Sequence, residues 1–320
     1  MYKWEKLGRI FNPTETIVGE WMKEFAQAPS VIILDKIVRV YFCCRPFPDK
    51  NGQYISYPAY IDLNRKNLFE IIDISKEPIL KLGKRGTFDE FGIYPTSVIN
   101  NKGDIRLYFA GNTRCESVPF NAAIGVAKSY DSGKTFTRIG DGPVLSYSYD
   151  EPFVLGSPKI RIFNNTWYLW YSAGKKWVEQ GGNKQPVYKI RMASSLDGIK
   201  WHKHGKDLLE SVLEENECQA SADVIFANDK YHMFFSYRYN LGFKIKGRGY
   251  RIGYAFSNDL INWRRNDVMA GIDVSEEGWD SESVSYAHIF KMDETYYMLY
   301  QGNQMGKFGF GLARLEGCLN

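Results

Sequence analysis

The feature that most constrains this chain is a strand-like segment that recurs five times at nearly equal spacing. In each copy, a run of apolar and aromatic residues ends in a small or polar cluster. The aligned aromatic residues are Phe42, Phe109, Tyr171, Phe235 and Tyr300, so the segment returns every 62 to 67 residues. This period leaves room for four short strands and their turns, and such internal repetition is typical of β-sheets arranged radially.

Further strands recur at fixed offsets from this segment. A preceding strand aligns at Pro29, Thr96, Pro158, Ala222 and Ala287, and a following strand reads Ile-Gly-Val-Ala at 124–127 and Ile-Gly-Tyr-Ala at 252–255. Helix-period segments are nearly absent from the chain. The sequence therefore predicts an all-β protein, a single five-bladed β-propeller with four-stranded antiparallel blades.

The N-terminal segment is predicted to close the ring. Trp4-Glu-Lys-Leu-Gly8 resembles the fourth strands at 136–140 and 201–205, whereas blade five has no fourth strand of its own because the chain ends soon after Leu312. Pairing the chain ends in one sheet would leave no exposed edge. The predicted boundaries within one domain of 1–320 are 2–10 for the outer strand of the last blade, then about 24–78, 90–146, 151–211, 217–270 and 282–316 for blades one to five.

Composition narrows the class of partner. The net charge is +4 with no block of Lys or Arg, which argues against nucleic acid, and no apolar run is long enough to cross a bilayer. The N-terminus has no signal-peptide pattern, and the five Cys lack CxxC spacing, so we expect a cytoplasmic protein with reduced thiols. No motif indicates a metal site or a cofactor. The oligomeric state is left open.

Carboxylates recur just before the innermost strand of every blade. Glu24, Glu217 and Glu282 lie five residues before the aligned position, and Asp89 and Glu151 lie seven before it. Five and seven have the same parity, so in extended strands all five side chains would point to the same side, towards a central mouth. The alternative for any one of them is a solvated side chain or a cap.

Other polar and aromatic residues fall at equivalent places around the same mouth. The ends of the second strands carry the candidate substrate-binding residues Arg45, Asn112, Arg238 and Asn303. The loops after these strands are basic, which favours an anionic carbohydrate ligand, unless the loops are merely flexible and solvated. Trp21 and Trp279 could stack on sugar faces or simply pack.

Asp223 and His288 occupy equivalent positions one residue past the aligned one in neighbouring blades. The two side chains could pair, which would orient and charge the imidazole. The alternative is a buried hydrogen-bonded pair that takes no part in chemistry.

The blade pattern resembles that of the five-bladed propeller glycoside hydrolases, families 43, 32, 68 and their relatives. The segment 231–263, with Ile252-Gly-Tyr-Ala followed by Asp259 and Trp263, carries the resemblance most clearly. The resemblance implies two carboxylates in the central pocket, one of them the general acid. The chain departs from the pattern: Ala28 and Ser157 stand where the family has Asp before Pro, and Ala220 stands at the position of its acid Glu.

The sequence therefore favours a carbohydrate-active enzyme, glycosidase-like or transferring a glycosyl group. Glu217 is the candidate acid, and Glu282, Asp89 or Glu24 is the opposing carboxylate. Arg45 and Arg238 would hold an anionic group of the substrate. The alternatives are a propeller that binds sugar or assembles without catalysis, and an enzyme of sugar-nucleotide or lipid-linked glycan chemistry.

Overall fold

The computed structural model describes residues 1–16 and 18–320, and nearly all of its regular structure is β-strand. The chain begins with β1 (Trp4–Phe11) and a 3₁₀ turn (Pro13–Glu15). Blade one follows as β2 (Glu24–Ile33), β3 (Ile37–Arg45), β4 (Tyr57–Asn64) and β5 (Asn67–Ile74). Blade two consists of β6 (Ile93–Asn101), β7 (Asp104–Arg114), β8 (Phe120–Lys128) and β9 (Thr137–Arg138).

The remaining blades repeat this order. Blade three is β10 (Leu155–Phe163), β11 (Thr166–Gln180), β12 (Asn183–Ser195) and β13 (His202–Lys203). Blade four is β14 (Cys218–Ala227), β15 (Lys230–Arg238), β16 (Arg251–Ser257) and β17 (Arg264–Arg265), followed by a 3₁₀ turn (Asp267–Ala270). Blade five contains β18 (Ser285–Met292), β19 (Thr295–Gln301), the short helix α1 (Asn303–Gly306) and β20 (Phe310–Leu315).

The ring closes through its first and last strands. β1 pairs antiparallel with β20, with Trp4 opposite Leu315 and Phe11 opposite Phe310, so the fifth sheet has the order β1-β20-β19-β18. The N-terminal segment thus supplies the outer strand that blade five lacks. The predicted fold class, a five-bladed propeller closed by the N-terminal strand, is confirmed. None of the described helices is long and apolar enough to span a bilayer.

Apolar clusters fill the space between adjacent blades. The cluster between blades five and one includes Phe11, Phe42 and Phe310, whose rings lie 5.1 to 6.1 Å apart between centroids. Four further clusters join the other neighbouring blades. Each blade therefore buries both faces against its neighbours, which is the main source of cohesion in the ring.

Every innermost strand contains a β-bulge near its start. The pairing of the first two strands shifts at equivalent places, for example between Gly156 and Lys159 in blade three and between Ala220 and Asp223 in blade four. In four blades a residue with positive φ lies within the shift; these residues are Ala28, Ser157, Ser221 and Tyr286. A bulge adds one residue to the strand and so reverses the side on which earlier residues point.

Polar residues just after the bulge tie neighbouring blades together. Ser30 Oγ accepts a hydrogen bond from the Val98 amide at 3.1 Å, and Ser97 Oγ accepts one from the Ile160 amide at 3.3 Å. These bonds satisfy backbone groups that face the central channel and fix the distance between inner strands.

We expect Phe42→Ala to lower the free energy of unfolding by about 3–5 kcal/mol, because Phe42 is fully buried between blades five and one and its loss leaves a cavity. Chemical denaturation monitored by tryptophan fluorescence measures the change. Phe69→Ala is the control, since Phe69 lies on the outermost strand and is 45% exposed. Equal effects of the two variants would contradict the packing role given to the cluster.

Candidate active site

Four of the five blades contain a buried ion pair between the segment that precedes the innermost strand and the outermost strand. We call this pair the blade clasp. The pairs are Asp89 with Arg138, Glu151 with Lys203, Glu217 with Arg265, and Asp280 with Lys6. The four cations occupy the same register position, opposite Ala127, Ala193, Ala255 and Ala313.

The clasp carboxylates are bound by cations and hydrogen-bond donors of the protein. Glu217 accepts hydrogen bonds from Arg265 at 2.6 Å and from the Val212 and Leu213 amides at 3.0 Å. Burial opposes the ionisation of Glu217, but the bonds from Arg265 and Gln219 outweigh it and lower its pKa. A general acid needs the opposite shift, so these contacts do not suit Glu217 to that role.

The expectation that Asp89, Glu151 and Glu217 line the central cavity is corrected by these contacts. Glu151 is held by Arg191 at 2.9 Å and by the Tyr171 hydroxyl at 2.9 Å, and Asp89 by Arg138 Nε at 2.7 Å. The parity argument failed for two reasons. The innermost strands begin after the carboxylates, and the bulges break the simple alternation.

In blade five the clasp carboxylate is Asp280 rather than Glu282. Asp280 accepts hydrogen bonds from Lys6 at 2.7 Å and from the Tyr300 hydroxyl at 3.0 Å, whereas Glu282 is exposed. Sequence reasoning missed Asp280, although it lies seven residues before Ala287, the same offset as Asp89 and Glu151 have from their own aligned positions.

Blade one, as far as residues 1–16 and 18–320 show, has no clasp. Ile74 occupies the register position of the cations, opposite Ile61, and Met22 stands at the seven-residue offset, so apolar packing replaces the ion pair. Glu24 is consequently free of the outermost strand. Its carboxylate accepts hydrogen bonds from the Tyr54 hydroxyl at 2.9 Å and lies 2.9 Å from Lys307 Nζ.

A cavity of about 460 Å³ lies where the bulged strands and the loops after the second strands meet. Its lining includes Arg45, Tyr54, Tyr94, Asn112, Arg114, Tyr188, Arg238, Phe243, Tyr286 and Met305. No Asp or Glu belongs to the lining that the described residues form. The structure thus brings together the predicted residues Arg45, Asn112 and Arg238, and places Glu24 behind the wall residue Tyr54.

Arg238 is enclosed by aromatic rings. Its guanidinium carbon lies 4.1 Å from the ring centroid of Phe243 and 5.2 Å from that of Tyr250. Arg45 is enclosed similarly, with its guanidinium carbon 4.6 Å from the ring centroid of Phe25 and 5.4 Å from that of Tyr94. Burial lowers the pKa of Arg45.

Of the three arginines in the cavity lining, the exposed Arg114 lies 3.6 Å from Asp49, whereas Arg45 and Arg238 have no carboxylate partner in the described part of the chain. Among the described residues, the other arginines that are not exposed each have a carboxylate oxygen within 4 Å; they include Arg39, Arg106, Arg138, Arg161, Arg191 and Arg265. An enclosed cation without a counter-ion is costly, so a bound anion would stabilise Arg45 and Arg238.

The remaining predicted residues serve the scaffold. Asp223 and His288 do pair, with Oδ2 and Nδ1 3.3 Å apart, but Asp223 is also bound by Arg161 at 2.8 Å and accepts a hydrogen bond from the Ile289 amide at 2.6 Å. Neither residue belongs to the cavity lining. The contacts match the alternative interpretation, a buried pair without chemistry.

Three further residues predicted to bind substrate instead hold neighbouring segments in place. Asn303 Oδ1 accepts hydrogen bonds from the amides of Glu282 at 2.7 Å and Ser283 at 3.1 Å. Trp21 Nε1 donates to the Lys76 carbonyl at 3.1 Å, and Trp279 stacks on Tyr300 with centroids 5.3 Å apart. None of the three lines the central cavity.

The ring is a five-bladed β-propeller, a fold that it shares with solved glycoside hydrolases and phosphorylases. A solved glycoside hydrolase has the same fold, with a TM-score of 0.74, 15% identity, and coverage of 100% of this chain and 93% of that one. The β-1,2-mannobiose phosphorylase of Listeria innocua matches with a TM-score of 0.69 and 14% identity over 98% of this chain and 96% of that one. The resemblance carried by the blade pattern is confirmed for the fold.

The chain belongs to the same family as the protein Rv1502 of Mycobacterium tuberculosis, to which it is 34% identical over 315 residues, 98% of this chain and 99% of that protein. It is also 24% identical over 251 residues to the 1,2-β-oligomannan phosphorylase of a Thermoanaerobacter species, covering 76% of each chain. The chain matches no protein-family model.

We expect Glu217→Gln to lower the free energy of unfolding by about 2–4 kcal/mol, because it breaks a fully buried clasp and weakens the pairing of Arg265. The matched variant Glu24→Gln should cost less than about 1 kcal/mol, since the partner Lys307 is 31% exposed. Denaturant unfolding of both variants measures the difference. A larger loss for Glu24→Gln would contradict the distinction between blade one and the other blades.

The stability of the protein should fall on acidification in a window set by His288. Burial outweighs the attraction of Asp223 and lowers the pKa of His288 to about 4. The unfolded state therefore takes up the proton first, near pH 6.5, and stability is lost as the pH falls from there towards 4. We expect His288→Gln to reduce this pH dependence in urea unfolding curves; an unchanged dependence would exclude His288 as its source.

Proposed function

We propose that this protein is a carbohydrate-active enzyme that transfers a glycosyl group to or from an oxyanion bound in the central cavity, with phosphate as the favoured oxyanion. The observation that carries the proposal is the pair of enclosed arginines without carboxylate partners, Arg45 and Arg238. Both belong to the lining of one cavity of about 460 Å³, large enough for a sugar and a small anion.

The composition of the cavity favours an anionic reactant over water. Hydrolysis by the usual route requires two carboxyl groups, one as acid and one as base or nucleophile. When phosphate attacks the anomeric carbon, it replaces the second carboxylate, and the protein needs only an acid and cations that hold the phosphate. In this reaction the glycosidic C–O bond breaks, a new C–O bond forms between the anomeric carbon and a phosphate oxygen, and the proton lost by phosphate balances the one gained by the leaving oxygen.

The named relatives support the same chemistry. A protein named 1,2-β-oligomannan phosphorylase and another named β-1,2-mannobiose phosphorylase, both from Thermoanaerobacter, share sequence with this chain. Their names describe the reaction that the arginines of the cavity would serve here. We therefore take β-mannosides and mannose 1-phosphate as the first substrates to examine.

Glu24 is our candidate for the proton-transferring carboxylate. It belongs to the blade that lacks a clasp, and the Tyr54 hydroxyl that it binds belongs to the cavity wall. Tyr54 and Glu24 together offer a path by which a proton can pass between the cavity and the carboxylate.

A second function is favoured by a separate observation. Because no Asp or Glu belongs to the described lining, the cavity is also suited to binding an anionic sugar without cleaving it. In that case Arg45 and Arg238 would still recognise the anion, and Glu24 would only hold Tyr54 and Lys307 in place.

We expect the protein incubated with 1,2-β-mannobiose and inorganic phosphate to release mannose 1-phosphate, detected by ³¹P NMR, and to run the reverse reaction from mannose 1-phosphate and mannose. Glu24→Gln should lower the rate at least about 100-fold, since it removes the ionisable group. Glu151→Gln is the matched control, because that clasp carboxylate lies outside the cavity, and its folded fraction should react at the wild-type rate.

Two results would contradict the proposal. Absence of phosphate-dependent turnover, together with binding of mannose 1-phosphate, would favour the binding function. Absence of both turnover and binding of any anion to the wild-type protein would remove the role given to the two arginines.

A further inference from the structure

The two enclosed arginines of the cavity, Arg45 and Arg238, differ in how many of their N–H donors are free. Arg238 Nη1 donates to the carbonyls of Tyr239 at 2.7 Å and Asn240 at 2.9 Å, and Nη2 donates to the Tyr188 hydroxyl at 3.1 Å. A guanidinium has five N–H groups, so three of the five are committed to protein acceptors. The geometry of Arg238 is therefore set mainly by the loop that follows β15.

Arg45 keeps most of its donors available. Its Nε donates to Ser56 Oγ at 2.9 Å, and within the described residues no acceptor engages Nη1 or Nη2. The guanidinium carbon lies 4.6 Å from the ring centroid of Phe25 and 5.4 Å from each of those of Tyr54 and Tyr94. Aromatic rings and one hydrogen bond thus hold the side chain while its terminal fork remains free to bind an oxyanion in a bidentate manner.

Tyr94 presents a second unused donor beside Arg45. It belongs to the cavity lining, and its hydroxyl is buried without a hydrogen-bond partner in the described structure. A buried hydroxyl without a partner destabilises a fold, so its presence calls for an explanation outside the fold itself. A ligand oxygen in the cavity would provide the missing acceptor.

Resting on the proposed function, we infer that Arg45 and Tyr94 together bind the oxyanion directly, whereas Arg238 positions the loop after β15 and contributes its charge. The ligand is a phosphate-type oxyanion, either free phosphate or the phosphate of a sugar. Arg45 and Tyr94 come from blades one and two, so this subsite lies on the same side of the mouth as Glu24, which pairs with Arg45 in the β2–β3 ladder.

The test is a calorimetric titration of the full-length protein with inorganic phosphate and, separately, with mannose 1-phosphate. We expect Tyr94→Phe to weaken binding about tenfold, as for the loss of one hydrogen bond to a charged group. Arg45→Gln should weaken it more than about 100-fold, because it removes a charged bidentate donor. Arg238→Lys should weaken it less than Arg45→Gln does.

Thermal unfolding separates a binding role from a structural one. Because the Tyr94 hydroxyl has no hydrogen-bond partner among the described residues, Tyr94→Phe should leave the melting temperature of the ligand-free protein unchanged or raise it. Tyr300→Phe is the control with the opposite pattern. The Tyr300 hydroxyl donates to the clasp carboxylate Asp280, so this variant should melt earlier and bind phosphate as the wild type does.

The outcomes are distinguishable from a failure of the proposed function. Wild-type affinity in both Tyr94→Phe and Arg45→Gln, with loss in Arg238→Lys, would overturn the subsite and leave the anion-dependent function standing. If Tyr94→Phe weakens the binding of mannose 1-phosphate but not that of inorganic phosphate, the result would support the subsite and identify the sugar phosphate as its ligand. If the wild-type protein binds neither ligand, the subsite and the proposed function both fail.

Discussion

The pairing of β1 with β20 is the interaction on which the rest of the structure depends. It hydrogen-bonds the two ends of the chain into one sheet, so that the fifth blade is complete and packs against the first. Only a closed ring makes the five innermost strands converge on one channel, and that convergence creates the cavity. The cavity residues therefore owe their proximity to a contact between residues some 300 positions apart in the chain.

Within this ring, one blade is made differently from the others. Four blades use a buried carboxylate and a cation of the outermost strand to fix the segment that leads into the innermost strand. Blade one replaces this pair by Met22 and Ile74, which leaves Glu24 beside Tyr54 and the cavity. A repeated fold thus becomes asymmetric through a few substitutions, and the asymmetry coincides with the side of the mouth where Arg45 presents its free donors.

The charge balance of the cavity explains why the scaffold of a glycoside hydrolase need not imply hydrolysis. The described lining contains three arginines, Arg45, Arg114 and Arg238, and no acidic residue. Most buried arginines elsewhere in the molecule are neutralised by carboxylates at salt-bridge distance, which shows that this chain readily supplies counter-ions where the fold needs them. Arg45 and Arg238 depart from this pattern, and that departure is the basis for proposing an anionic ligand.

The sequence by itself determined the fold, because the number of blades, their strand order and the closing role of Trp4 follow from spacing and local strand patterns, which are short-range properties. It also marked Arg45, Asn112 and Arg238 as neighbours. Only the tertiary structure determined which groups the carboxylates bind. Bulges interrupt the side-chain alternation of every innermost strand, once in four blades and twice in blade one. Whether Asp89, Glu151 or Glu217 meets a cation depends on strands far away in sequence. The side to which a side chain points can be counted along a regular strand. The position of a bulge and the cation that a carboxylate meets across the blade are set by packing. The sequence therefore showed where the acidic residues recur, and the fold determined what they bind.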